Sequence, residues 1–106
     1  MKENTPIVRL FCAKMKSDFM ELPESQRNDF MAKDRANLDE LGMKAISMIQ
    51  CSGMDDEWDY IGVEGWPSMD AIKKREEFEN NVLQISKYVT YKIHLGLEKS
   101  FETYGK

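Results

Sequence analysis

The stretch WDYIGVEGWPSMDAI, residues 58–72, decides the fold of this chain. Its first half is rich in aromatic and β-branched residues whose side chains alternate between two faces, which is typical of a strand inside a sheet. Pro67 removes a backbone donor and ends the strand, and Ser68 is a favourable N-cap for a helix that follows. The sequence therefore predicts that this strand delivers Trp66 to a strand-to-helix corner.

The flanking sequence predicts three more strands and one more helix. The apolar run 5–15 indicates a first strand that is covered on both faces, and 24–41 indicates a helix that starts at Pro23 and stops at Gly42. Residues 43–51 form a hairpin with the central stretch, and 88–97 form the last strand. The helix that Ser68 starts is predicted to bury a stripe with alternating four- and three-residue spacing: Ala71, Arg75, Phe78, Val82, Ile85 and Val89.

The order of these elements is strand, helix, strand, strand, helix, strand. Right-handed crossovers fold this order into a four-stranded antiparallel sheet, 4-1-3-2, with both helices on one face. We therefore predict an α+β, ferredoxin-like βαββαβ fold in one domain, residues 1–106. Because both faces of the first strand are largely apolar, a second copy of the chain is expected to cover the bare sheet face, giving a homodimer.

Composition excludes several classes of partner. The chain of 106 residues has a formal net charge of −4, and its basic residues are scattered among acidic ones, so we expect no nucleic-acid partner. No apolar run approaches the ~20 residues needed to cross a bilayer, and the N-terminal residues lack a signal-peptide core, so we expect no membrane partner and a cytoplasmic location. Cys12 and Cys51 fall on strands that the central strand separates, which predicts free thiols.

Tyr60, Glu64 and Trp66 share one face of the predicted central strand. A phenol, a carboxylate and an indole suit an aromatic ligand, with Glu64 as acid or base if burial raises its pKa. The alternative is packing, since Trp and Tyr are common core residues and Glu64 can pair with Arg9 on the neighbouring strand. The pattern leaves both open.

Three polar residues at unusual positions are further candidates. His94 is the single histidine and so the natural base near neutral pH, or else an ordinary polar strand residue; the sequence does not decide which sheet face carries it. Asp34 and Arg75 interrupt the inner stripes of the two helices. They are expected to form a buried salt bridge. Alternatively, both are polar groups of a pocket, where Arg75 binds a carboxylate or an enolate. No spacing of His or Cys indicates a metal site.

Two stretches carry a resemblance to a known family. ELPESQRNDFM at the first helix and YIGVEGWPSMDAI at the strand-to-helix corner resemble the dimeric α/β-barrel superfamily, above all its darcynin-like and antibiotic biosynthesis monooxygenase-like members. Monooxygenase and haem-degrading members keep a pocket tryptophan where this chain has Trp66. The monooxygenases place an asparagine four residues earlier, where this chain has Gly62, and the iron-ligand histidine of the haem-degrading members has no counterpart on the second helix.

The resemblance implies a small-molecule enzyme, monooxygenase or cyclase-like, that acts without metal, haem or other cofactor on an aromatic or polyketide-like substrate. The alternative is a non-enzymatic ligand-binding or stress-associated dimer. In the enzyme hypothesis His94 and Glu64 are catalytic. The predicted substrate-binding residues are Trp66, Tyr60, Arg75 and Arg9.

Overall fold

A computed structural model describes residues 7–105. The elements in chain order are β1 (Ile7–Met15), α1 (Ser17–Met20), α2 (Glu24–Glu40), β2 (Lys44–Gln50), β3 (Tyr60–Trp66), α3 (Met69–Phe78) and β4 (Val89–Leu97). A π-helical turn, Glu79–Leu83, continues α3, and 3₁₀ turns occupy Ile85–Lys87 and Phe101–Thr103. The first two residues of the predicted first strand, Thr5 and Pro6, lie outside the described residues.

The four strands form one antiparallel sheet with the order β2-β3-β1-β4. This confirms the predicted order 4-1-3-2 and the ferredoxin-like α+β fold. Strand β1 lies between β3 and β4, and its register places Arg9 directly opposite Glu64 on one side and Leu95 on the other. Cross-strand pairs in such a ladder share a face, so the register alone brings Arg9 and Glu64 together.

The helix boundaries follow the predicted capping signals. Pro23 immediately precedes α2, and Gly42 follows its C-cap with a φ of 85°, a left-handed conformation that glycine adopts without a steric penalty. At the start of α3 the Ser68 hydroxyl accepts a hydrogen bond from the Ala71 amide at 3.1 Å. These local signals were therefore sufficient to place both long helices.

The inner stripe beyond α3 differs from the prediction. Ala71, Arg75, Glu79 and Leu83 are buried, whereas Val82, predicted to be inside, is 53% exposed. The π-helical turn after Phe78 is the reason, because its i→i+5 hydrogen bonding takes more residues per turn than an α-helix. Residues four apart therefore stay on the buried side, and Glu79 and Leu83 point into the interior.

The two faces of the sheet are unlike. The helices cover one face, where Leu38, Trp66, Ala71 and Ile72 form a buried apolar cluster. The opposite face, which we call the open face, presents mostly half-buried or exposed side chains from all four strands, with Cys12 buried among them. Both cysteines are buried and unbonded to each other, as predicted. Within residues 7–105 no helix has the length and apolar character needed to span a bilayer.

Candidate functional site

A network of buried charges lies between the sheet and the helices. Arg9 Nε donates to Glu64 Oε1 at 2.8 Å, and Arg9 Nη2 donates to Glu79 Oε2 at 3.0 Å. Arg75 Nε donates to the same Glu79 oxygen at 2.9 Å, and Arg75 Nη1 donates to Asn37 Oδ1 at 2.9 Å. All five residues are less than 9% exposed. We call this set the charge network.

The predicted bridge between the two helices closes the charge network at its outer end. Arg75 Nη2 contacts Asp34 Oδ1, whose side chain is 31% exposed. This confirms that Asp34 and Arg75 form a bridge, and the contact between Arg9 and Glu64 confirms the pairing considered for those strands. Glu79 and Asn37 were missed, although Glu79 stands four residues after Arg75, the spacing at which helical side chains meet.

The carboxylates of the charge network act on the Arg9 guanidinium. Burial would lower the pKa of Arg9, but the nearby Glu79 and Glu64 carboxylates outweigh that effect and raise the pKa above its ordinary value. Among the buried side-chain polar atoms of the described chain, Arg9 Nη1 is the one without a hydrogen-bond partner. Buried polar atoms are usually satisfied, so this nitrogen is an exception within the charge network.

Trp66 is fully enclosed beside the charge network. Its side chain is 0% exposed, its Nε1 donates to Glu64 Oε1 at 2.9 Å, and the Arg9 guanidinium carbon lies 5.5 Å from the ring centroid. Glu64 Oε1 therefore accepts from two donors at once. The catalytic role of Glu64 and the substrate-binding role of Trp66 stay predictions.

Phe11 and Gly62 close the sheet surface next to the charge network. They face each other across β1 and β3, and a Cβ added at Gly62 would lie 2.2 Å from Phe11 Cε2. The phenyl ring therefore occupies the space that a larger side chain would need. Tyr60, two residues before Gly62, is half-buried and lies beyond Phe11, away from the contacts of the charge network.

His94 lies on the open face. It stands directly opposite Leu10 on β1, whereas Arg9 faces the helices, so the sheet separates His94 from Glu64. The imidazole borders an open pocket of about 340 Å³, and the residues that line it are Val8, Leu10, Ile46, Val63, Leu95, Gly96, Leu97 and Glu98. The two predicted catalytic residues therefore do not share a site within one chain.

A second cavity, of about 250 Å³, lies at one end of the helix layer. An aromatic cluster lies beside this cavity. In it, Phe19, Phe30 and Tyr88 make three edge-to-face contacts, with ring centroids 5.4 to 6.2 Å apart. The sequence did not predict this cluster. Its members come from three separate segments, α1, α2 and the turn before β4, and no spacing along the chain relates them.

Neither a metal nor a haem fits the helix-covered face. In the part of the chain that the structure describes, no three His, Cys, Asp or Glu side chains are grouped to hold a metal ion. A haem needs an axial donor and a slot for the macrocycle. The charge network and Trp66 are buried in this layer, and α3 presents no histidine. Among the described residues that line the cavity of about 250 Å³ at the end of the layer, none is His, Cys or Met. On the open face, the His94 imidazole lies beside an apolar pocket, and this one side chain would suit the role of an axial haem ligand.

Comparison with known proteins supports the fold. No protein-family model and no curated protein matches the sequence. Among solved structures, a novel haem-binding protein from Thermus thermophilus matches with a TM-score of 0.73 and 13% identity, covering 95% of this chain and 43% of that one. Chlorite dismutase from Candidatus Nitrospira defluvii, in complex with imidazole, matches with a TM-score of 0.71 and 14% identity, covering 93% and 42%.

The chain has the same fold as these proteins. It spans less than half of the length of either structure, and at this low identity the likeness is one of fold alone. The narrower resemblance to darcynin-like and antibiotic biosynthesis monooxygenase-like proteins stays a prediction. The expectation of an activity without haem gains no support, because one structure of this fold is described as haem-binding.

Proposed function

We propose that this chain is a small-molecule enzyme that works as a homodimer, with its substrate held against the open face and His94 as the proton acceptor. The supporting observation is the pocket of about 340 Å³ beside His94, since its walls are mostly apolar and the imidazole is exposed to it. Aromatic or polyketide-like molecules match such a lining. In this proposal Arg9, Arg75 and Trp66 hold the helices on the sheet rather than touch substrate.

The proposed dimer follows from what the open face exposes. Four strands of about seven residues make a face of roughly 400 Å² at the usual strand spacing. Its central strands contribute the apolar side chains of Val8, Leu10, Ile61 and Val63. A contiguous apolar patch of this kind often marks an interface. The outer strand of the open face adds Ile46 and Ile49, which are 51% and 54% exposed. Packing two such faces together would bury these side chains and close the His94 pocket from solvent. Sedimentation at low micromolar concentration should show one species of twice the chain mass, and a monomer would contradict the proposal.

His94 would act in this chamber as a general base. A neutral imidazole takes the proton of a phenol or an enol, and the anion that remains is electron-rich. That anion either reacts with molecular oxygen, as in a monooxygenase, or attacks a carbonyl of the same molecule, as in a cyclase. Catalysis by Glu64, which the sequence predicts, would take place at a separate site on the other side of the sheet.

The matched variants His94→Ala and Lys92→Ala test the proposal. Both residues are exposed on β4 and share the open face. Phenols and quinones should raise the melting midpoint of the wild type and of Lys92→Ala by mass action. Loss of turnover in His94→Ala with binding retained supports the enzyme. Binding without turnover in all three proteins supports the alternative, a ligand-binding dimer, and no binding in any of them contradicts both.

Haem is a second candidate ligand for the open face. The exposed imidazole of His94 in an apolar surround favours it, as does the likeness to a haem-binding protein of this fold. Hemin titrated into the wild type and into His94→Ala distinguishes the cases. A Soret shift that depends on His94 supports haem, whereas identical spectra for the two proteins rule out His94 as its ligand.

A further inference from the structure

The cavity of about 250 Å³ at the end of the helix layer has features of a binding site of its own. We call it the α2–π groove, because α2 forms one wall and the π-helical turn with the residues after it forms the other. Its lining includes Leu22, Gln26, Phe30, Val82, Gln84 and Tyr88. It lies on the helix-covered side, so the sheet separates it from the His94 pocket.

The aromatic wall of the α2–π groove is held in place from behind. Phe30 and Tyr88 meet edge to face at 5.7 Å and 81°, and both reach the groove. Phe19, only 6% exposed, packs on both rings at 5.4 and 6.2 Å. Such contacts fix ring orientation, so the two rings offer a preformed surface for another aromatic ring.

The polar side chains of the α2–π groove carry no net charge. Asp29 and Lys33 form an i,i+4 ion pair at 3.1 Å, which cancels the two charges along this rim. The side-chain amides of Gln26 and Gln84 are exposed and make no hydrogen bond to any of residues 7–105, so their donors and acceptors are available to a ligand. Such a lining favours a neutral molecule over an ion.

Gln84 holds an unusual backbone conformation at the edge of the α2–π groove. Its φ and ψ are 52° and 51°, and it is the non-glycine residue with positive φ among those described. Glycine would adopt this conformation without steric cost, yet the position carries an amide side chain that lines the cavity. It directly follows the π-helical turn, and both features are frequent at binding sites.

We propose that the α2–π groove binds an uncharged molecule with a single aromatic ring and an amide or carbonyl substituent. The ring packs against Phe30 and Tyr88, and the substituent hydrogen-bonds the amides of Gln26 and Gln84. The volume sets the size of the ligand, because about 250 Å³ is below the ~300–1,000 Å³ of sites for drug-sized molecules and suits one ring. This site is independent of the function proposed for the open face.

Benzamide is the probe, and amide shift perturbations in a ¹H–¹⁵N correlation spectrum are the readout. Shifts should saturate and map to Phe30, Gln84 and Tyr88. Benzoate, which adds a charge, and cyclohexanecarboxamide, which lacks the aromatic ring, should each bind at least about tenfold more weakly. Shifts that map to the open face, or an absence of saturable shifts at millimolar benzamide, overturn the proposal.

Variants distinguish a loss of binding in the α2–π groove from a loss of folding. Gln84→Gly keeps the backbone conformation and should weaken benzamide binding about fivefold or more without lowering the melting midpoint. Gln26→Ala should weaken it similarly. The control is Gln50→Ala, which changes another exposed glutamine, on β2. Unchanged affinity in both Gln84→Gly and Gln26→Ala overturns the assigned contacts, as does equal weakening in Gln50→Ala.

Discussion

The substitution Trp66→Phe tests how the central strand is held. It removes part of a side chain that is 0% exposed, together with the indole donor to Glu64 at 2.9 Å. We expect about 1 kcal/mol from the smaller ring, below the ~3–5 kcal/mol of a full Trp→Ala truncation. The lost hydrogen bond to a buried carboxylate adds ~1.5–3 kcal/mol. The free energy of unfolding should therefore fall by about 2.5–4 kcal/mol.

Urea denaturation followed by far-UV circular dichroism measures this loss. The slope m should stay the same while the midpoint falls, and the melting temperature should drop by roughly 10–20 °C for a domain of this size. Trp58→Phe is the control, because Trp58 is only half-buried and its indole makes no hydrogen bond to a described residue. We expect that variant to lose less than about 1 kcal/mol.

A double-mutant cycle isolates the contact between Trp66 and Glu64. In a Glu64→Leu background, which leaves the indole N–H without this acceptor, the cost of Trp66→Phe should differ from its cost in the wild type by ~0.5–3 kcal/mol, because the two side chains share one hydrogen bond. A loss below about 1 kcal/mol in the single variant, accompanied by ligand-dependent quenching of indole fluorescence in the wild type, would refute this reasoning and show that Trp66 borders an accessible pocket.

Three further outcomes are expected. Arg75→Met should lower the free energy of unfolding, measured in urea, by ~3–5 kcal/mol, because it leaves buried carboxylate charge uncompensated. The control Lys74→Met breaks only an exposed ion pair. Equal losses in the two variants would contradict a stabilising role of the charge network. Val63→Lys, on the open face, should yield a folded monomer by sedimentation, and a stable dimer would place the interface elsewhere. Burial and Glu79 raise the pKa of Tyr91 above its ordinary 10.0. The stability that this phenol contributes is therefore complete below pH 10 and lost as pH rises through the higher folded pKa. The melting midpoint of Tyr91→Phe should fall less above pH 10 than that of the wild type, and parallel pH profiles would contradict the assignment.

Local signals in the sequence were enough to predict the architecture. The strand-ending Pro67, the cap at Ser68 and the stop at Gly42 each act through backbone groups within a few residues, so they can be recognised without knowing the tertiary structure. The doubly apolar first strand required a central position, and with the element order it leaves few possible topologies. The fold and the pairing of Asp34 with Arg75 could therefore be predicted.

The site residues were harder to place, because their partners are distant in sequence. Arg9 and Glu79 are separated by 70 positions and Arg75 and Asn37 by 38, and no spacing rule relates such pairs. The π-helical turn matters here, since it changes which residues after Phe78 face the sheet, and the period of a regular α-helix had favoured Val82 instead.

The position of His94 on the open face shows the same difference between what the sequence predicts and what the structure decides. The alternation of β4 shows which residues share a face with His94, because side chains alternate along any strand. It does not show which face of the sheet that is. Only the register with β1, which puts His94 opposite Leu10 and Leu95 opposite Arg9, decides it. The sequence by itself thus determined the elements and their order, whereas the tertiary structure decided that the imidazole and the charge network lie on opposite sides of the sheet, because register is a property of paired strands.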